Sequence, residues 1–263
     1  MATAARPEFL SAGGYRLECL WYGPRPDQAP TLVFLHEGLG SAAMWRDFPE
    51  KLAAATGCGA LVYSRAGYGG SDPVPLPRPI TYMHDEGLLV LPDLLAAAGI
   101  GDHVLIGHSD GASIAIVNGG GTRAAGLKGL VLEAAHVFIE DISVRSIAAA
   151  AESYRTTDLP DRLRRWHGAN TDCAFWGWNR AWLDPAFRHW NIEEYLPAIR
   201  VPTLAIQGEG DEYGTVAQLD AIRRQAGGGA EILLLPDCGH SPHRDQPAAT
   251  LAAMTRFIAV VLN

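Results

Sequence analysis

Residues 107–111 of this chain read GHSDG, which fits the pattern G-x-S-x-G with Ser109 at its centre. The apolar run at 103–107 predicts a strand before it, and the pattern at 112–118 predicts a helix after it. A serine on so tight a strand-to-helix turn is lifted out of the sheet, next to the positive end of the helix. Ser109 is therefore the candidate nucleophile, with an ordinary N-cap serine as the alternative.

A serine hydroxyl attacks a carbonyl only when a base removes its proton and an acid orients that base. His240 is the candidate base, because it lies in a loop between the last predicted strand and the last predicted helix. His243 is the second candidate. The candidate acids are Glu209, Asp211 and Glu212, in the turn after the preceding strand. Glu133 or Asp141, which follow an earlier strand, are the less favoured alternative.

The elements that must position these residues alternate along the chain. Short apolar runs ending in glycine-rich or polar turns predict buried parallel strands at 31–35, 59–63, 103–107, 127–132, 203–206 and 231–235. Helical patterns occur at 42–55, 82–98, 112–118, 216–225 and 248–262. The sequence therefore predicts an α/β fold, with a mostly parallel sheet flanked by helices and antiparallel edge strands near 15–21.

The alternation stops between residues 137 and 200. This stretch has no strand-like run and contains five of the seven tryptophans, at positions 166, 176, 178, 182 and 190. We expect a core formed by residues 1–136 and 201–263, with residues 137–200 inserted as a helical cap. Trp176, Trp178 and also Trp45 are candidate walls of a pocket for an apolar or aromatic group.

Taken together, these motifs resemble the α/β-hydrolase fold family over nearly the whole chain. The HEGLG string at 36–40 is similar to that family's oxyanion loop, and SRAGYGGSD at 64–72 is similar to its RGxGxS turn. The resemblance implies the order serine, acid, histidine and favours Asp211 as the acid. It also implies an oxyanion hole formed by the N–H groups of Asp110 and Gly38, with that of Glu37 as the second choice for the loop donor.

Two carboxylates depart from the commonest pattern of that family. Glu37 stands where glycine is usual, and it either faces the substrate or turns away to pair, for example with Arg65. Asp110 stands where many relatives have an apolar residue. The Ser-Asp-Gly elbow resembles the biphenyl hydrolase-like enzymes that cleave amino-acid esters, which implies that Asp110 binds a substrate ammonium group. The alternative is a hydrogen bond within the elbow.

The composition limits the partners that we expect. The net charge is −8, which disfavours nucleic acid or an anionic membrane as a partner. Neither a dinucleotide fingerprint nor a P-loop nor metal-ligand spacing occurs, so no cofactor or metal is expected. The four cysteines are scattered, and the first residues have no apolar signal-peptide core, which favours a cytoplasmic location. The oligomeric state cannot be inferred from the sequence.

These residues predict a serine hydrolase that cleaves a small or medium carboxylic ester, thioester or amide through an acyl-enzyme. A C–C bond hydrolase or a lactonase is the alternative within the same fold. A non-catalytic binding protein is the alternative of another class, although the complete set of Ser109, Asp211 and His240 disfavours it.

Overall fold

The computed structural model describes residues 7–122 and 124–263. The prediction that the first residues form no signal peptide concerns mainly residues 1–6, which lie outside the described residues. Within the described part, eight strands form one sheet in the order β1-β2-β4-β3-β5-β6-β7-β8. The strands are β1 (Glu8–Ala12), β2 (Tyr15–Tyr22), β3 (Thr31–Leu35), β4 (Gly59–Tyr63), β5 (His103–His108), β6 (Leu127–Glu133), β7 (Thr203–Gly208) and β8 (Ala230–Leu235).

The sheet is parallel from β4 through β8, and only β1 and β2 run antiparallel to their neighbours. The predicted fold class, a mostly parallel sheet flanked by helices, is confirmed. Each of the six predicted parallel strands is present, because continuous apolar runs can be buried on both faces of a sheet. In β3, for example, Val33 and Leu35 pack on one face while Leu32 and Phe34 pack on the other.

The helices depart from the predicted ranges in two places. The pattern at 42–55 is split into a 3₁₀ turn, Ala42–Trp45, and α1 (Phe48–Thr56), because Arg46 has a positive φ of 55°. The pattern at 82–98 is divided by a π-helical turn, Glu86–Val90. The remaining helices outside the inserted stretch are α2 (Tyr82–Asp85), α3 (Leu91–Ala97), α4 (Asp110–Gly121), α8 (Val216–Gln225), α9 (Pro242–Asp245) and α10 (Pro247–Leu262).

The stretch between β6 and β7, which we call the inserted segment (137–200), is mainly helical. It contains α5 (Asp141–Thr156), α6 (Leu159–His167) and α7 (Thr171–Trp182), followed by 3₁₀ turns at Pro185–His189 and Glu193–Ala198. His167 at the end of α6 lies 3.0 Å from the carbonyl oxygen of Leu39 and accepts from the N–H of Gly69 at 3.1 Å. The inserted segment is thereby held against the loops that follow β3 and β4.

None of the described helices has the length and hydropathy needed to cross a membrane. Among the described residues, no group of three or more histidine, cysteine, aspartate or glutamate side chains is arranged to hold a metal ion.

Candidate active site

Ser109 lies on the turn between β5 and α4 with a positive φ of 54°. A non-glycine residue in this region is strained, and such strain is typical of functional turns. The turn is possible because the residues two positions before and two positions after Ser109 are glycines. A Cβ on Gly107 would lie 2.3 Å from the carbonyl oxygen of Gly111, and one on Gly111 would lie 2.0 Å from that of Leu35.

The structure brings Ser109, His240 and Asp211 together in one hydrogen-bonded array. The Oγ of Ser109 lies 2.9 Å from Nε2 of His240, and Nδ1 of His240 lies 2.8 Å from a carboxylate oxygen of Asp211. Burial raises the pKa of Asp211, but the hydrogen bonds from His240 and from the N–H of Tyr213 outweigh it and hold this pKa below its ordinary value. Asp211 therefore stays ionised, as an acid that orients a histidine must.

The loop after β3, residues 36–40, lies beside Ser109. The guanidinium of Arg65 donates to the carbonyl oxygens of His36 and Glu37, the latter at 3.1 Å, and so holds the backbone at the start of the loop. Gly38 is in contact with the inserted segment, because a Cβ at this position would lie 2.2 Å from the indole Nε1 of Trp178. Among the described residues, neither the N–H of Gly38 nor that of Asp110 donates to an acceptor.

A cavity of about 90 Å³ opens directly onto Ser109. Its walls are mainly apolar and aromatic, and they come from the loops after the strands and from the inserted segment. They consist of Glu37, Gly38, Leu39, Ser109, His136, Ile147, Trp178, Trp182, Tyr213 and His240.

The side chain of Asp110 is fully buried and is not part of this wall. Its carboxylate accepts hydrogen bonds from the hydroxyl of Tyr82 and, at 3.2 Å, from the indole Nε1 of Trp182, and it lies 4.0 Å from Arg65. Both oxygens are thus occupied by the protein itself. The structure therefore shows the Asp110 carboxylate in contact with Tyr82, Trp182 and Arg65, outside the walls of the cavity, which agrees with the alternative of a hydrogen-bonding role within the protein.

Glu37 does not pair with Arg65 through its carboxylate. Its Oε2 instead lies 3.4 Å from Nδ1 of His108, the residue that precedes the nucleophile. A second pair, in which both side chains are buried, lies next to it, with Nδ1 of His243 at 2.8 Å from Glu133. His243 and Glu133 are therefore engaged with each other, and the structure does not place either of them on Ser109.

The three candidate tryptophans have different surroundings. Trp178 lines the cavity. Trp176 is half-buried on the other side of α7, where the guanidinium groups of Arg155 and Arg180 cover its ring at 5.2 and 5.1 Å. Trp45 is buried in the core on one face of the sheet, where its ring packs against Phe34 and His243. Only Trp178 is placed where the sequence predicted a pocket wall.

Five further lining residues are not singled out by the sequence as pocket residues: Leu39, His136, Ile147, Trp182 and Tyr213. His136 and Tyr213 follow β6 and β7, so their position at the carboxyl ends of these strands was an available signal. Burial, together with the nearby His240, lowers the pKa of His136 to about 3. His136 is therefore a neutral polar group in the wall. The orientation of Ile147 and Trp182 depends on helix packing that periodicity does not give.

Comparisons with known proteins agree with this architecture. Residues 32–253 match the alpha/beta hydrolase family. The chain belongs to this family, and as a member of it the protein is an enzyme of the α/β-hydrolase class.

Individual relatives are more distant. A 2-succinyl-6-hydroxy-2,4-cyclohexadiene-1-carboxylate synthase of Klebsiella pneumoniae subsp. pneumoniae is 27% identical over 88% of this chain and 94% of its own length. The crystal structure of VinJ superposes with a TM-score of 0.77 at 24% identity, over 98% of this chain and all of the other. A thermophilic esterase from Thermogutta terrifontis gives a TM-score of 0.75 at 19% identity, over 98% and 99% of the two chains. These structural likenesses show a shared fold.

Proposed function

We propose that this protein is a serine hydrolase that cleaves a small carboxylic ester, or a related thioester or amide, through an acyl-enzyme on Ser109. The observation that carries the proposal is the continuous array in which His240 lies 2.9 Å from Ser109 and 2.8 Å from Asp211. A histidine in this position can remove the serine proton, and the carboxylate fixes its tautomer and stabilises the imidazolium that forms.

The reaction follows from this geometry in two stages. Ser109 Oγ attacks the carbonyl carbon while His240 Nε2 takes its proton. The bond from that carbon to the leaving alcohol then breaks, and His240 returns the proton to the alcohol oxygen. In the second stage water attacks the acyl-enzyme, again giving its proton to His240, and Ser109 recovers the proton as the acid leaves.

The negative charge on the carbonyl oxygen needs two donors during both stages. The N–H groups of Asp110, at the start of α4, and of Gly38, in the loop after β3, have no protein acceptor among the described residues. Both flank Ser109, and one of them lies at the positive end of a helix. We assign the oxyanion hole to these two groups, with Glu37 as the second choice for the loop donor.

The cavity supports a short acyl group. Its volume of about 90 Å³ is smaller than the roughly 150 Å³ of an engineered apolar cavity that binds benzene. This volume favours an acetyl to butyryl chain against a wall that contains Ile147 and Trp178, over a longer or aromatic group. We accordingly propose that the inserted segment acts as a cap that limits acyl length.

The curated relatives named above make a product that, by its name, carries a succinyl and a carboxylate group. Recognition of carboxylates relies on arginine or lysine side chains. Among the described residues, those lining the cavity include neither, and they include the carboxylate-bearing Glu37. The charge of the site thus favours a neutral substrate over a di-acid for this chain.

The test is hydrolysis of a panel of p-nitrophenyl esters, amino-acid esters and acyl thioesters by the wild type and by Ser109→Ala. The proposal expects turnover of at least one short-chain substrate class by the wild type and loss of that turnover in the variant. Equal rates in both proteins, or no turnover of any acyl substrate by the wild type, would contradict it.

A further inference from the structure

His108 connects three parts of the site that are distant in sequence. It ends β5 immediately before Ser109, and its side chain is buried. Nε2 of its imidazole lies 2.7 Å from the backbone carbonyl oxygen of His240, and Nδ1 lies 3.4 Å from the carboxylate of Glu37. One ring therefore touches the loop that carries the candidate base and the loop that carries a candidate oxyanion donor.

The partners of this ring define its protonation state. A carbonyl oxygen only accepts hydrogen bonds, so Nε2 carries a proton, and Nδ1 at 3.4 Å from the Glu37 carboxylate is within ion-pair distance when it is protonated as well. Burial lowers the pKa of His108, but the hydrogen bond and the charge of Glu37 outweigh it and raise this pKa to about 9. Burial likewise raises the pKa of Glu37, yet His108 holds it well below its ordinary range. The two side chains form an ion pair at neutral pH.

We infer that the ion pair of the partly exposed Glu37 with the buried His108 positions His240 and the 36–40 loop around Ser109. The inference rests on the proposed function. His108 belongs to the elbow itself, so its contacts hold the base and the oxyanion loop at fixed distances from the nucleophile. Glu37 and His108 act through other groups and are positioning residues, and small displacements of a base or a donor are costly in catalysis.

Other titratable groups also face this ring, and a pH profile must take them into account. They are Glu37 from the loop after β3, Glu133 and His136 from the end of β6 and the loop after it, His240 from the loop after β8, and His243 from α9. A variant that changes only Glu37 separates the ion pair from these groups, since it leaves each of them in place.

The experiment measures the rate at which a fluorophosphonate probe labels Ser109 between pH 6 and pH 10. This rate depends on the base and the oxyanion donors and needs no knowledge of the natural substrate. The test variants are Glu37→Gln, which keeps the shape but removes the charge, and His108→Gln, which keeps a donor for the His240 carbonyl. The matched controls are Glu231→Gln, at an exposed ion pair with Arg256, and His103→Asn, at a buried histidine in the same strand.

The expected result is a labelling rate about tenfold to a hundredfold lower in both test variants near pH 7.5. The wild-type rate should fall as pH rises through about 9, where His108 loses its proton, and in Glu37→Gln this fall should begin at lower pH. Labelling of Glu37→Gln at the wild-type rate at every pH would overturn the inference and leave the proposed function intact. A wild type that is not labelled at all would overturn the proposed function itself.

Discussion

The indole Nε1 of Trp182 lies 3.2 Å from a carboxylate oxygen of Asp110, which joins the inserted segment to the residue directly after the candidate nucleophile. The hydroxyl of Tyr82 donates to the other oxygen of the same carboxylate. Trp182 is also part of the cavity wall. The position of that wall relative to the start of α4 is therefore set by a buried hydrogen-bond network with Asp110 at its centre.

Asp110→Ala is expected to lower activity on all substrates by a similar factor and to destabilise the fold. The substitution leaves the hydroxyl of Tyr82 buried without an acceptor, at a cost of about 1–3 kcal/mol, whereas the indole Nε1 of Trp182 still has the hydroxyl oxygen of Tyr82 as an acceptor at 3.0 Å. Urea unfolding and the rates on p-nitrophenyl and amino-acid esters measure the two effects. Asp161→Ala, at an exposed ion pair, is the control. A loss confined to amino-bearing esters would instead show that Asp110 binds an ammonium group.

Asp211→Asn is expected to lower kcat by about 10⁴-fold, because an amide cannot hold His240 in the required tautomer. Glu133→Gln should lower kcat far less, since Glu133 contacts His243 and not His240. Steady-state rates on one short-chain ester compare the two variants directly. A loss in Glu133→Gln as large as that in Asp211→Asn would show that Glu133 is the acid.

The ion pair of Glu37 and His108 predicts a pH-dependent free energy of unfolding. The pKa of His108 rises from 6.5 to about 9 on folding, so the stabilisation is fully present below about pH 6.5 and is lost as pH rises through 9. The wild type should exceed Glu37→Gln by on the order of 2–3 kcal/mol at pH 6.5, and this difference should shrink by pH 10. Urea unfolding at both pH values measures it, and a difference that does not change with pH would contradict the pairing.

The small cavity predicts a preference for short acyl chains. The wild type should hydrolyse p-nitrophenyl acetate and butyrate faster than the octanoate, in terms of kcat/KM. Ile147→Ala removes part of the wall, so it enlarges the cavity beside Trp178 and should move the preferred acyl-chain length to longer chains. The ratio of kcat/KM values for two esters is measured with the same protein. A general loss of stability in the variant lowers both values and therefore does not change this ratio. An unchanged chain-length profile would show that Ile147 does not limit the acyl group.

The sheet and the array at Ser109 were accessible from the sequence for a common physical reason. Buried parallel strands such as β3 and β5 are read as continuous apolar runs, and their carboxyl ends meet at one edge. Topology therefore brings the turn at 209–212 close to Ser109, while the choice of Asp211 over Glu209 and Glu212 is implied by the resemblance to the α/β-hydrolase fold family. The prediction of His240 depends on the same rule, and that of Ser109 also depends on the G-x-S-x-G motif at 107–111.

The partners of Asp110 and Glu37 could not be predicted in this way. Tyr82 and Trp182 lie 28 and 72 residues from Asp110 in the chain, and they meet it only through the packing of α2 and α7. The position of Trp45 just after the 36–40 loop predicts a pocket residue, but its ring packs against Phe34 in the core. Side-chain direction in short turns depends on backbone angles that the order of residue types does not reveal.

The most direct test of the central claim is to locate the probe adduct after fluorophosphonate treatment by peptide mass spectrometry. We expect a single adduct on the peptide that contains Ser109, its loss in Ser109→Ala, and strongly slowed formation in Asp211→Asn. An unmodified wild type, or an adduct on another residue that persists in Ser109→Ala, would contradict the assignment of Ser109 as the nucleophile.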